Sequence, residues 1–81
     1  MNTIDTSPIR RIDRTHGARV QAQALDAWRE AELQVQARWD AYLATDRGSA
    51  HAAFTAYLAA LDAEAAAAAA LAEAFDTAAA A

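Results

Sequence analysis

Glu32 and Glu64 are the residues whose type and spacing come closest to a chemical site in this chain. Each sits inside a repeating apolar pattern and is the only charged member of it. Facing carboxylates on paired helices can hold a di-metal centre, but such centres add a Glu-x-x-His pair from further helices. Here Val35 stands three residues after Glu32, and Ala67 three after Glu64. The two histidines, His16 and His51, lie off both patterns. Asp13 and His16 have the spacing of a ligand pair but precede the first pattern. A carboxylate metal site at Glu32 and Glu64, completed in an oligomer, is therefore the third of three readings.

The leading reading of the same residues is a polar layer. Arg29 lies three residues before Glu32, on the same side of a helix, and can reach toward Glu64. A charge-assisted contact between its guanidinium and the acids satisfies all three groups. Such layers fix register and partner number at some cost in stability.

Other chemistries lack their residues. With no cysteine there is no disulfide framework, thiolate nucleophile or cysteine-ligated zinc. Ser7 and Ser49 have no His–acid partners in pattern, and no Gly-rich phosphate loop is present. The expectation is a non-enzymatic protein without a cofactor.

A second candidate surface is basic. Residues 1–20 carry four arginines against two aspartates, net +2, while residues 21–81 carry three arginines against nine acids, net −6. Arg10, Arg11 and Arg14 alternate with Ile9 and Ile12, a pattern suited to docking in an apolar groove rimmed by acids. Arginine clusters also bind phosphate backbones. The acidic body and the missing recognition motif make nucleic-acid contact the alternative rather than the main reading.

These residues need elements to position them. Gly17 and Gly48 are the only glycines and Pro8 the only proline. Residues 18–45 and 49–75 contain neither, and alanine, leucine, arginine, glutamine and glutamate dominate the first stretch. Leu25, Trp28, Glu32, Val35, Trp39 and Tyr42 repeat at 3-4 spacing, as do Phe54, Tyr57, Leu61, Glu64, Ala68 and Leu71. Paired end to end, the two sets give six pairs whose residue numbers each add to 96. That mirror predicts an all-α fold: an antiparallel two-helix hairpin, coiled-coil-like, with an N-terminal arm. Trp39, Tyr42, Phe54 and Tyr57 should then cluster beside the turn.

The predicted organisation is an arm over 1–17, partly disordered or a short turn opened by Ser7-Pro8. Helix 1 follows over 18–47, helix 2 over 48–76, and a frayed tail over 77–81. Gly48 is expected in a left-handed position after helix 1, with Ser49 capping helix 2.

Two helices bury little, and helix 2 is unusually bare. Residues 49–81 hold 19 alanines in 33 positions, and Ala63, Ala66, Ala67 and Ala70 lie where a polar face belongs. Small side chains let another helix approach closely. We therefore expect the hairpin to complete a helical bundle by oligomerisation, with a homodimer favoured over docking on a larger protein. The longest apolar run, Ala65–Ala72, is eight residues, against roughly 20 for a membrane span. No signal-peptide core is apparent, so a cytoplasmic protein without membrane contact is expected. The alanine-rich, lysine-free composition is of the kind found in GC-rich bacterial or phage genes.

The polar layer makes a prediction. Glu64→Leu should stabilise the fold by about 1 kcal/mol, since it places apolar surface in a half-buried stripe, and should loosen the oligomeric state. Melting and native mass together check it; lower stability with an unchanged state refutes the layer.

Overall fold

The computed structural model describes the backbone of residues 3–80 and the side-chain surroundings of residues 16–77. Its chain is an all-α hairpin. Helix α1 runs Thr3–Ala44, a 3₁₀ turn covers Arg47–Ser49, and helix α2 runs Ala50–Ala80. The helices pack antiparallel along one another in a rod about 73 Å long. Among the described residues, no helix is long and apolar enough to cross a membrane.

The helix limits differ from those read off the sequence. Helix α1 begins at Thr3, so residues 3–17 continue the helix instead of forming a separate arm. Neither Ser7-Pro8 nor Gly17 marks a boundary. A lone glycine costs a helix about 1 kcal/mol, too little to end one of 42 residues. At the other end, α2 continues to Ala80 rather than fraying from residue 77.

The turn is built by Asp46. Its backbone is extended (φ −77°, ψ 170°), and its Oδ1 accepts a hydrogen bond from the Ser49 N–H at 3.0 Å. The Ser49 N–H also lies 3.2 Å from the Asp46 carbonyl, closing the 3₁₀ turn that leads into α2. A carboxylate oxygen facing the first free N–H groups of a helix is what a cap requires. Ser49 is therefore the capped residue and not the cap. Gly48 has ordinary negative φ, so no left-handed residue terminates α1. Thr45 ends it instead, its N–H donating to the Tyr42 carbonyl at 3.3 Å.

The seam between the helices follows a heptad, with positions a to g assigned from burial. On α1 the half-buried residues are Gln21, Trp28, Val35 and Tyr42 at a, Gly17, Ala24 and Ala31 at d and Leu25 at e, with Arg38 exposed at d and Thr45, just past the helix, half-buried at the next d. On α2 they are Ala50, Tyr57, Glu64 and Leu71 at a, Ala53, Ala60, Ala67 and Ala74 at d, Leu61 at e and Ala56 at g. Every d position of α2 is alanine. Because e neighbours a around a helix and g neighbours d, an antiparallel pair carries a and e on one side, d and g on the other. One side of this hairpin therefore holds the large residues and the other holds alanine.

Two substitutions at the turn separate its parts. Asp46→Ala should cost about 1 kcal/mol and Asp46→Asn much less, because the amide oxygen still caps. Gly48→Ala should be neutral or stabilising by roughly 0.5 kcal/mol, since φ is ordinary and an added Cβ meets only Asp46 Oδ1 at 3.6 Å. Thermal unfolding of the three variants tests both statements, and a marked loss in Gly48→Ala contradicts the turn described.

Candidate interaction surface

Four rings form a cluster next to the turn. Trp39 packs on Tyr57 with ring centroids 5.0 Å apart, and Tyr42 on Phe54 at 5.4 Å. Within each helix, Trp39 meets Tyr42 at 5.5 Å and Phe54 meets Tyr57 at 6.1 Å. All four are tilted pairs in the range where aromatic rings attract. The cluster and both of its cross-helix pairs are those the mirrored pattern predicts. The tyrosines, at a, are half-buried; Trp39 and Phe54, at e, remain 37% and 41% exposed.

The opposite side opens into a shallow groove near the far end. His16, Gly17 and Val20 of α1 line it against Ala70, Ala74 and Thr77 of α2, with Glu73 at the edge. Every one of these residues falls at c, d or g, as every aromatic of the cluster falls at a or e. The two ends of the rod thus agree on one register, in which a and d residues facing each other have numbers adding to about 95.

That register locates the other expected sites. The six pairs adding to 96 are a–e neighbours on the large-residue side, one step away from the line of closest contact. Glu32 accordingly lies at e and is exposed, while Glu64 lies at a and is half-buried opposite Ala31. Arg29 is exposed at b on the same side. Of the expected polar group, Glu64 thus stands in the seam at mid-length, while Glu32 and Arg29 lie beside it on the a/e side. Among the described residues no group of three His, Asp or Glu side chains could hold a metal ion.

The alanines divide. Ala63, Ala66 and Ala70 are exposed at g and c, as an outward face requires, but Ala67 is half-buried at d and belongs to the contact between α1 and α2. Ala68, expected in the seam, is exposed at e. Ile9, Arg10, Arg11, Ile12 and Arg14 lie outside the residues whose side chains are described.

Sequence reasoning missed a more prominent surface. Among the described residues none is fully buried, and seven large apolar side chains stand exposed. Five of them, Trp39, Leu43, Phe54, Leu58 and Phe75, fall at e or b, on one side of the hairpin. Val20 and Leu33 are the exceptions. The signal was present in the b positions, which a search for a/d spacing does not inspect. Comparisons with protein-family models, curated proteins and solved structures return no match to this chain.

Tyr57 touches both exposed rings, so Tyr57→Ala should detach Trp39 and Phe54 together. The expected loss is about 2 kcal/mol, below the 3–5 of a buried aromatic because the site is half-open. Trp39 fluorescence shifting to the red in the folded variant would report the detachment directly.

Proposed function

We propose that this chain is a non-catalytic assembly module, a helical hairpin whose apolar surface is completed by another helical surface. One observation carries the reading: the chain folds without burying any described residue. It exposes 6393 Å², whereas a compact monomer of its 8.6 kDa mass exposes about 4,700 Å². The surplus, about 1,700 Å², is roughly twice what one partner contributes to a standard interface. Apolar side chains left in water add nothing to stability, so a hairpin of this kind is marginal until something covers it.

The chain contributes two elements to such assembly. One is the exposed face of the hairpin. The other is the basic N-terminal segment, where Ile9 and Ile12 anchor and Arg10, Arg11 and Arg14 meet acids of a partner. A docking role accounts for arginine and isoleucine alternating there, whereas a phosphate-binding segment has no need of the isoleucines.

Dilution tests the module reading. Without its partner the chain should lose helicity in a broad transition, below the roughly 45–65 °C usual for mesophilic domains. A sharp, cooperative transition above that range in a strictly monomeric sample, followed by circular dichroism, rules the reading out.

A further inference from the structure

We draw no further inference here: the strongest candidate, the apolar stripe of Trp39, Leu43, Phe54, Leu58 and Phe75 along the a/e side of the hairpin, is an unpartnered face, and nothing in the structure shows what covers it.

Discussion

Two cylinders touch along one line, and that restriction governs everything else in this molecule. Each helix can give the other a single stripe, so the best-covered side chains are only half-buried and no residue among those described leaves water altogether. Larger domains escape the restriction by wrapping several elements around one interior. Here the alternatives are to remain marginal or to let a second molecule supply the missing elements. The excess surface and the exposed large side chains both follow from that restriction.

Within the one stripe, the sequence distributes size unevenly. Alanine occupies every d position of α2 and the d positions Ala24 and Ala31 of α1, while Trp28, Val35, Tyr42, Tyr57 and Leu71 occupy a. Small residues on one side let the backbones approach there, and large residues on the other spread outward over the flanking e and b positions. The hairpin is consequently two-faced. One side is thin and smooth, and the other is a ridge of rings and leucines interrupted at mid-length by Arg29 and Glu32.

The same unevenness explains what could be read from the amino-acid order and what could not. Large residues announce themselves, so the mirrored pairs Trp39–Tyr57 and Tyr42–Phe54 and the cluster they form are visible in spacing alone. Alanine carries no such signal in a chain where it is everywhere. The d stripe of Ala53, Ala60, Ala67 and Ala74 therefore cannot be told from its exposed neighbours. Following only the large residues rotates the apparent seam by about 50°, one wheel position, which places Glu32 and Ala68 inside it and Ala67 outside. The turn misled for a local reason. Glycine suggests a left-handed terminus and serine a cap, but Asp46, three residues before Ser49, caps with a better acceptor and leaves Gly48 in an ordinary conformation.

The short connection between the helices also sets what each contact between them costs in chain entropy. Residues that meet across the hairpin are nested about the turn, so each contact formed shortens the loop needed for the next. Tyr42 and Phe54 close the smallest loop among the ring pairs, and loop closure of about ten residues takes roughly 10–100 ns. The strongest local attraction therefore lies where the entropic cost of closure is least. Contacts nested in this way give a low contact order, the topology that folds fastest. The two tryptophans close loops of different size: Trp39 meets Tyr57 in the second layer from the turn, and Trp28 lies three layers further along. The ring cluster therefore stands where the loop is shortest, and the alanine half where it is longest.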